Sequence, residues 1–429
     1  MKIKSKHHNG SHLVLDCYKG KSLGDKYLIR SFLVELCKKI GMRAISEPIV
    51  VEHNAPDPDE SGITGMILIA ESHISIHTYP EKGYFAFDIF SCKEFDIKEV
   101  ERSVKNTFNP ERIETNLIRR GHSETFSEKE AEEVKGMNIG KVRDVKSLVK
   151  QYRNLGFQAT NLAKAADIVN KMKDSTVFLT FTSNMVSSGL REVFAYMCEK
   201  KMVDVIITGA GSIEEDLIKS KKSFLLGDFH MDDVELHKKG INRIGNILVP
   251  NDRYELLEDI LVPFFDKMLK KKDIFSPSEL VFELGKEIKD KKSILYWATN
   301  NNIPVFCPAI TDGAFGLQIY FYKQKHDGFG IDVTSDMKKL AEITLNADKT
   351  GGIMLGGGFA KHHAIGVNIL REGLDYAVYV STATQYDGSV SGARTKEAVS
   401  WSKIKENSNS VFVEGDATIL FPLIISGSL

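Results

Sequence analysis

A Glu-Ser-His triplet occupies residues 71–73, inside the β-rich run MILIAESHISIHTYPEKGYFAFDIFSC that begins at Met66. A serine in such a run can break its own chain, because its hydroxyl attacks the preceding carbonyl and turns the amide into an ester. β-Elimination then leaves a pyruvoyl group, whose ketone condenses with a substrate amine and takes up electrons during decarboxylation. The triplet therefore offers a self-made carbonyl cofactor, and a purely structural strand serine is the alternative.

Two glycine-rich turns follow predicted strands later in the chain. The run TGAG begins at Thr208 and leads into a helix with Glu214 and Glu215 in its first turn, and the run GGG begins with Gly356 and Gly357. Glycines let backbone N–H groups approach a pyrophosphate, and a helix N-terminus favours negative charge. We name these five residues as candidate cofactor contacts. Neither run is a G-x-G-x-x-G, so tight packing turns remain the alternative.

The composition excludes several classes of function. The 429 residues are 42% hydrophobic and 27% charged, and 57 Lys+Arg are matched by 58 Asp+Glu, which leaves no basic surplus for nucleic acid or an anionic membrane. Five scattered cysteines without a C-x-x-C are typical of a reducing cytosol and indicate neither disulfides nor a zinc site. The chain has no apolar signal core and no run of ~18 apolar residues. We expect a cytoplasmic, metal-free protein of two or three domains that acts on small molecules.

The first 120 residues predict an α+β sandwich, in which helices cover one face of an antiparallel sheet. Strands are expected at 12–18, 45–53, 65–80 and 84–92, and helices at 26–41 and 100–108. A polar, charged stretch at 121–136 follows, and we interpret it as a linker or a solvated helix.

Residues 137–429 predict a doubly wound, Rossmann-like α/β domain. Short continuous apolar runs, as strands covered on both faces require, occur at 176–181, 203–208, 293–298, 303–308, 351–357 and 376–382. Helical patterns such as SGLREVFAYMCEK and SELVFELGKEIKD lie between them. Ligands of such a domain are expected at the carboxyl ends of the strands.

Residues 12–120 resemble the short prokaryotic S-adenosylmethionine decarboxylases, a pyruvoyl-dependent family. The pattern ESH-x-x-IHT-[WY]-PE-x-GY and the later D-x-[FY]-[ST]-C carry the resemblance. It implies that Ser72 becomes the pyruvoyl group after a break behind Glu71. It also implies that His77 assists processing and that Cys92 is the proton donor in catalysis.

Thr64 stands where this family usually has a serine and keeps the hydroxyl that serves processing. If residues 66–78 formed one flat strand, Ser72 and His77 would face opposite sides of the sheet. The resemblance therefore requires a turn or break in this segment.

The loop before GITG departs from the family pattern. The family has an aromatic residue that stacks on adenine, whereas HNAPDPDESGITG has none and carries Asp57, Asp59 and Glu60. Loss of stacking costs on the order of 1 kcal/mol, and carboxylates favour a cationic side chain instead. We expect these acids and Glu81 to bind the substrate, with ornithine favoured and arginine, which would give agmatine, possible. Solvated loop acids are the alternative.

From about Gly136 onward the chain resembles deoxyhypusine synthase, an NAD-dependent family of homotetramers with sites between subunits. The runs TFTSNMVSSGLREVFAYM, TGAGSIEEDLIKS, IPVFCPAITDG, GGGFAKHH, YAVYVSTATQYDGS and SGARTKEAVSWSKI carry the resemblance in order. It implies that Lys403 carries an aminobutyl group as an imine. The implied NAD contacts are Ser183, Asn184, Glu215, Asp312, Gly357, Thr382, Ala383, Asp387 and Asp416. The implied amine-pocket residues are His362, Tyr379, Glu397 and Trp401.

The residue types suit this chemistry. NAD takes hydride from the carbon that bears an amine, and the resulting imine is an electrophile. A lysine attacks only as the free amine, so we expect Lys403 to be buried against groups such as Trp401. His362 is the predicted proton shuttle. A second amine then displaces Lys403, and the retained NADH reduces the new imine.

Three positions depart from the pattern of the synthases. Leu317 stands where an acidic residue follows the DG-x-x-G turn, Val390 replaces the aspartate of GSDSGAR, and Gly366 replaces an asparagine after the HH pair. A desolvated ammonium without its carboxylate costs several kcal/mol. We therefore expect the amine to be held differently from spermidine.

Our leading hypothesis is a bifunctional enzyme that turns ornithine into putrescine and then joins two putrescines as a homospermidine synthase. The second hypothesis keeps the parent activities, decarboxylation of S-adenosylmethionine and deoxyhypusine synthesis on a translation-factor lysine. In the third, one domain has lost its chemistry and serves as a scaffold or activator.

Overall fold

A computed structural model describes residues 10–120 and 132–429 of the chain. Contacts between residues divide it into two compact units, Met1–Ala131 and Glu132–Leu429. Most of the stretch interpreted as a linker, 121–136, lies outside the described residues, so that interpretation stays a prediction. Within the described ranges, no helix is long and apolar enough to cross a bilayer.

The N-terminal unit is built on one six-stranded sheet. Its strands are β1 (Gly10–Tyr18), β2 (Ile49–His53), β3 (Gly62–Ile69), β4 (Ser72–Tyr79), β5 (Tyr84–Ser91) and β6 (Arg112–Arg120). Its helices are α1 (Lys26–Lys39) and α2 (Ile97–Phe108), with a 3-10 turn at Pro58–Glu60. The strand order is β2-β3-β4-β5-β1-β6, and every neighbouring pair is antiparallel, as the sequence predicts.

Strict alternation divides this sheet into an apolar face and a polar face. In β4, Ile74, Ile76 and Thr78 are buried, and the residues between them are half-buried. Side chains from both helices join the apolar face in one core, where Phe32 of α1 packs edge-on against Phe87 of β5. Apart from the buried Thr78 and Ser91, the polar side chains of β4 and β5 lie on the other face.

Two features of this unit differ from the sequence prediction. The run at 65–80 forms two strands, because the chain turns at Ala70 and Glu71 and pairs β3 with β4. Strand β6 was not predicted, since RIETNLIRR is rich in charge. Charged residues are typical of an edge strand such as β6, where they discourage pairing with other chains.

The C-terminal unit alternates strands and helices. Its strands are β7 (Thr176–Phe181), β8 (Val205–Thr208), β9 (Leu225–Leu226), β10 (Ile241–Ile244), β11 (Ile247–Pro250), β12 (Ile274–Phe275), β13 (Val305–Phe306), β14 (Gly330–Ile331), β15 (Thr350–Leu355), β16 (Leu374–Ser381) and β17 (Ile404–Glu414). Its helices are α3 (Val145–Tyr152), α4 (Phe157–Lys171), α5 (Ser183–Ser187), α6 (Arg191–Glu199), α7 (Ala210–Lys219), α8 (Asp233–Lys238), α9 (Asp252–Leu269), α10 (Pro277–Gly285), α11 (Ile294–Asn300), α12 (Ala314–Lys323), α13 (Val333–Leu345), α14 (Gly358–Val367), α15 (Thr395–Val399) and α16 (Ala417–Ser428).

Six of these strands form a parallel sheet in the order β13-β8-β7-β15-β16-β17. Strands β8 and β15 are buried along their whole length, as expected of a parallel sheet covered on both faces. The strand order reverses between β7 and β15. Loops that leave adjacent strands in opposite directions open a crevice at the carboxyl edge, which is where such sheets bind ligands.

The prediction of a strand at 293–298 is wrong. Ser293 caps helix α11 there by accepting a hydrogen bond from the Tyr296 N–H, and the carboxylate of Asp216 accepts from the backbone N–H groups of Ile294 and Leu295. A short apolar run fits a buried helix as well as a strand, and its capping serine is the signal that separates the two.

Candidate active sites

The Glu71–Ser72 peptide lies at the turn between β3 and β4. Ser72 has a φ of 150°, in a region of backbone space that is costly for any residue except glycine. The Glu71 carbonyl accepts a hydrogen bond from the backbone N–H of Cys92 at 3.2 Å. The amide that the resemblance implies as the scissile bond therefore combines a strained backbone with a carbonyl polarised by a donor.

The Ser72 hydroxyl lies beside a histidine that the sequence analysis did not assign. Its Oγ is 3.1 Å from Nδ1 of His73, and Nε2 of His73 is 3.5 Å from Oδ1 of Asp88. The same Oδ1 is 3.1 Å from Nε2 of His12, while Ser75 donates its hydroxyl proton to Oδ2. These five side chains come from β1, β4 and β5, which the sheet order places side by side.

His77, the predicted processing histidine, has a different partner. Its Nδ1 is 2.5 Å from Oγ1 of Thr64, directly across the β3–β4 ladder. The turn that the sequence analysis required lies before Ser72, so Ser72 and His77 belong to the same strand. The unusual φ of Ser72 supplies the necessary change of direction, and its hydroxyl reaches His73 on the face that also carries His77.

The remaining N-terminal candidates are spread around this hairpin. Cys92 is exposed. Oε2 of Glu71 is buried and has no hydrogen-bond partner among the described residues. Asp57, Asp59 and Glu60 are exposed, and Asp57 caps its own 3-10 turn by accepting from the Asp59 N–H at 3.0 Å. Glu81 is exposed too. The structure thus gathers the processing residues and leaves the predicted substrate acids solvated.

In the C-terminal unit, glycines allow the loops of the crevice to pack closely. A Cβ on Gly211 would lie 2.7 Å from Ser183 Cβ, and one on Gly357 would lie 2.2 Å from the Cα of Ser391. Gly356 has a φ of 74°. A side chain at Gly357 would displace backbone, one at Gly211 would displace Ser183, and one at Gly356 would strain its own backbone. Both glycine runs therefore suit the close packing of these loops.

Two of the candidates from these glycine turns point into the protein. Thr208 is buried and donates its hydroxyl proton to the Phe181 carbonyl at 2.7 Å. Glu214 accepts from the Phe315 N–H at 2.6 Å and so holds the first turn of α12. Both side chains have structural partners, and burial raises the pKa of Glu214.

Glu215 is also buried, and it meets Ser187 Oγ at 2.5 Å. Burial raises the pKa of this carboxyl to about 7. A carboxyl with this pKa changes its charge near neutral pH, at a position where the resemblance implies contact with the cofactor.

The other implied NAD contacts follow the strands of the parallel sheet. Asn184 lies in α5 directly behind β7, and its Oδ1 accepts from Thr182 Oγ1 at 2.5 Å. Thr382, Ala383 and Asp387 follow β16, Asp416 follows β17, and Asp312 precedes α12. Asp387 accepts from the Ser389 N–H, which lowers the pKa of its carboxyl. Each of these residues follows a strand of the parallel sheet in the chain, as expected of ligand contacts in a doubly wound domain.

The predicted imine lysine lies beside the predicted proton shuttle. Lys403 Nζ is 3.4 Å from His362 Nε2 and 5.1 Å from the Trp401 ring centroid. The expected burial is wrong for the single chain, because Trp401 is 65% exposed and Lys403 only half-buried. The single chain therefore brings the predicted reacting groups together without closing them off from water.

The sequence analysis did not assign a second lysine at this site. Lys361 is 1% exposed, and it donates hydrogen bonds to the carbonyls of Val390 at 2.7 Å and Ala393 at 2.8 Å. Its Nζ lies 4.1 Å from the Tyr379 ring centroid, and burial lowers its pKa to about 8. Its position directly before His362 in GGGFAKHH could have identified it from the sequence.

Lys361, His362, Tyr379, Val390, Glu397, Trp401 and Lys403 share one small cavity of about 70 Å³. Glu397 is the one carboxylate among the residues described as its lining. Burial raises the pKa of Tyr379, whose hydroxyl has no hydrogen-bond partner in the described part of the chain. Leu317 is 51% exposed on α12, and a Cβ on Gly366 would meet nothing within 4 Å.

Two family models match the chain: deoxyhypusine synthase over residues 147–428 and S-adenosylmethionine decarboxylase over residues 11–121. The probable deoxyhypusine synthase of Pyrococcus abyssi is 44% identical over an alignment of 321 residues that covers 69% of this chain and 96% of that protein. The deoxyhypusine synthase of Senecio vernalis is 43% identical over an alignment of 325 residues that covers 68% of this chain and 88% of that protein. A solved structure assigned as a deoxyhypusine synthase of Entamoeba histolytica has a TM-score of 0.51 at 29% identity, and the match covers 69% of this chain and 96% of that one.

Proposed function

The chain belongs to the deoxyhypusine synthase family and also carries an S-adenosylmethionine decarboxylase-like domain, and from this premise we propose that it makes homospermidine from ornithine in two steps. In the first, the N-terminal unit decarboxylates ornithine to putrescine. In the second, the C-terminal unit transfers the aminobutyl group of one putrescine to another through Lys403 and releases ammonia.

The fit of the N-terminal unit to a pyruvoyl cofactor rests on the hairpin around Ser72. The strained φ of Ser72 and the hydrogen bond on the Glu71 carbonyl prepare the amide for internal attack. The pyruvoyl group supplies the electron sink for loss of the carboxylate. Cys92 is adjacent through its backbone, which suits the proton-donor role that the resemblance implies.

The preference for ornithine rests on charge in the substrate loop. Asp57, Asp59 and Glu60 are free of ion pairs within the described residues, so their carboxylates are available to a cationic side chain. The loop offers adenine no aromatic partner. Because ornithine is the shorter of the two basic amino acids and yields the diamine that the second unit needs, it is favoured over arginine.

The fit of the C-terminal unit to NAD rests on the crevice between β7 and β15. Its strand order is that of doubly wound dinucleotide-binding domains, which supports a Rossmann-like site. Gly357, Ser183 and Asn184 would approach the pyrophosphate, while Asp387 and Asp416 lie in the loops that follow β16 and β17. NAD supplies the hydride acceptor and donor when bound.

The choice of putrescine rests on the carboxylates of the amine cavity. Putrescine retains one ammonium once its other nitrogen has reacted, and Glu397 is the one carboxylate among the described residues that line the cavity. Spermidine carries a further ammonium, and Val390 and Leu317 stand where the family has acids for it. An unmatched ammonium in a desolvated cavity costs several kcal/mol.

Closure of this cavity is proposed to come from a second copy of the chain. Trp401 and Lys403 are open to solvent in one subunit, whereas imine chemistry needs a site from which water is excluded. A homotetramer with sites between subunits, as the family resemblance implies, would supply the missing wall.

The observation that carries the proposal is the contact of Lys403 with His362 in a cavity with a single carboxylate. The test is an analysis of the amine products of the full chain, incubated with NAD and ornithine, arginine, S-adenosylmethionine or putrescine. We expect putrescine and carbon dioxide from ornithine, and homospermidine and ammonia from putrescine. Deoxyhypusine formed on a translation factor from spermidine, without homospermidine from putrescine, would support the parent activity instead.

A further inference from the structure

Ser72, His73 and Asp88 form a continuous contact chain on the polar face of the N-terminal sheet. Ser72 Oγ is 3.1 Å from His73 Nδ1, and the other ring nitrogen of His73 is 3.5 Å from Asp88 Oδ1. The carboxylate of Asp88 is itself fixed, because His12 contacts one oxygen and Ser75 donates to the other. The arrangement has the components of a nucleophile, a base and a carboxylate that orients the base.

The position of Asp88 selects the form of His73 that can act as a base. A neutral imidazole carries its proton on one nitrogen and accepts with the other. A carboxylate close to Nε2 favours the proton on that nitrogen, which leaves the Nδ1 lone pair facing the Ser72 hydroxyl. The same carboxylate stabilises the imidazolium that forms when Nδ1 takes a proton.

The groups on which this base would act belong to the same peptide. The Glu71 carbonyl carbon is bonded to the Ser72 nitrogen, and the Glu71 carbonyl oxygen accepts a hydrogen bond from the Cys92 N–H. His77 lacks a contact with the Ser72 hydroxyl in the described structure and is bonded to Thr64 instead. The two histidines of the hairpin therefore have different partners: His73 contacts the Ser72 hydroxyl, and His77 contacts the Thr64 hydroxyl.

We propose that His73 is the catalytic base that starts self-cleavage, and that Asp88 is the positioning residue that orients it. This rests on the proposed pyruvoyl function of the unit. His73 takes the hydroxyl proton of Ser72 as Oγ bonds to the Glu71 carbonyl carbon. The C–N bond then breaks, and His73 returns the proton to the Ser72 nitrogen, which gives the ester. Water then takes the Ser72 α-proton, the Cβ–Oγ bond breaks, and Oγ leaves with Glu71 as its carboxylate. Hydrolysis of the resulting enamine, through its imine, gives the pyruvoyl group and ammonia.

The test follows self-cleavage of the full chain in a pulse-labelled cell-free translation. The parent chain is expected to give fragments 1–71 and 72–429. His73→Ala is expected to slow their appearance by about 100-fold or more, the usual contribution of a general base. Added imidazole should restore part of the rate, which it would not do for a purely structural role.

Hydroxylamine separates the two steps, because it cleaves an ester and spares an amide. With His77→Ala, which retains the proposed base, hydroxylamine should still cut the chain after Glu71. With His73→Ala, it should not. An amide that persists in His77→Ala, or an ester that forms at the parent rate in His73→Ala, overturns the assignment of His73.

His12→Ala is the matched control, since His12 also contacts Asp88 but is not in contact with Ser72. We expect it to slow cleavage by less than about 10-fold. Asp88→Asn should be slower than Asp88→Glu, which keeps the carboxylate. A loss in His12→Ala equal to that in His73→Ala would make the cluster structural and overturn the proposal. A parent chain that never cleaves would instead refute the proposed pyruvoyl function.

Discussion

The two candidate sites differ in how much of their chemistry one chain completes. At the hairpin of the N-terminal unit, Ser72 Oγ lies 3.1 Å from Nδ1 of the proposed base His73, and the Cys92 N–H donates to the Glu71 carbonyl at 3.2 Å. In the C-terminal unit, Lys403 and His362 meet, but Trp401 beside them is 65% exposed. Self-cleavage acts on a substrate that is already attached, so local sheet geometry suffices. Transfer between free amines, as proposed for the C-terminal unit, needs an enclosed pocket, which the single chain does not provide.

Removing one reacting group at a time tests whether the two sites act independently. Ser72→Ala lacks the attacking hydroxyl, so we expect an intact chain and complete loss of decarboxylation, with homospermidine formation from putrescine unchanged. Denaturing electrophoresis and amine analysis measure the two effects. Loss of both activities would contradict independent sites.

Lys403→Ala is the complementary change. Without the ε-amine there is no covalent carrier, and we expect complete loss of transfer while ornithine is still decarboxylated. Borohydride trapping with labelled putrescine should tag the parent chain and leave this variant unlabelled. Equal labelling of both would show that another amine carries the group.

The shape of the C-terminal crevice can be tested at its glycines. A Cβ at Gly357 would lie 2.2 Å from Ser391 Cα, so Gly357→Ala must displace backbone at the proposed pyrophosphate site. We expect NAD binding, measured by titration, to weaken by about 100-fold or more, since a displaced donor loop costs several kcal/mol. Gly366→Ala is the control, because its Cβ meets nothing within 4 Å, and NAD binding should be retained.

The amine preference should respond to one restored carboxylate. Val390→Asp places an acid in the cavity that holds Glu397 and Lys403, and we expect the ratio of kcat/KM for spermidine over putrescine to rise by about 10-fold. Val390→Thr, of similar size and without charge, is the matched control. An unchanged ratio in the aspartate variant would show that this position does not select the amine.

The smallest effect concerns Glu215. The pKa of this carboxyl is raised to about 7 in the folded chain, above the usual value near 4.5, so its contribution to stability is complete at low pH and is lost as pH rises through 7. In the parent chain, ionisation of Glu215 should lower the free energy of unfolding by about 1 kcal/mol between pH 6 and 8. Glu215→Gln should lack this decrease. Both tryptophans, Trp297 and Trp401, lie in the C-terminal unit, so their fluorescence follows its unfolding by denaturant. If the free energy of unfolding of Glu215→Gln fell with pH as steeply as that of the parent chain, the raised pKa of Glu215 would be contradicted.

The sequence predicts this molecule best where a motif fixes both residue type and backbone. Lys403 and His362 come together as the family resemblance implies, and the parallel sheet follows from continuous apolar runs. Prediction fails where one pattern has two physical solutions. The run SILYWA fits a strand and a buried helix alike, and Glu214 at a glycine turn reads as a ligand contact although it caps α12.

Other properties depend on contacts that no local pattern encodes. The link from His73 to Asp88 joins two strands whose register only the folded sheet reveals. The burial of Lys361 depends on the carbonyls of Val390 and Ala393 folding over its ammonium. The openness of Trp401 is a property of the isolated subunit and not of the sequence around it.

The order of strands in the first sheet has a consequence for the cut chain. Cleavage behind Glu71 would assign β1, β2 and β3 to the small fragment and β4, β5 and β6 to the large one. In the order β2-β3-β4-β5-β1-β6, the small fragment's β1 is sandwiched between two strands of the large fragment. The two pieces would thus be interleaved, and they could separate only if the sheet unfolded. After separation in denaturant, their reassembly would depend on the concentration of both fragments, whereas the uncleaved precursor would refold as one chain.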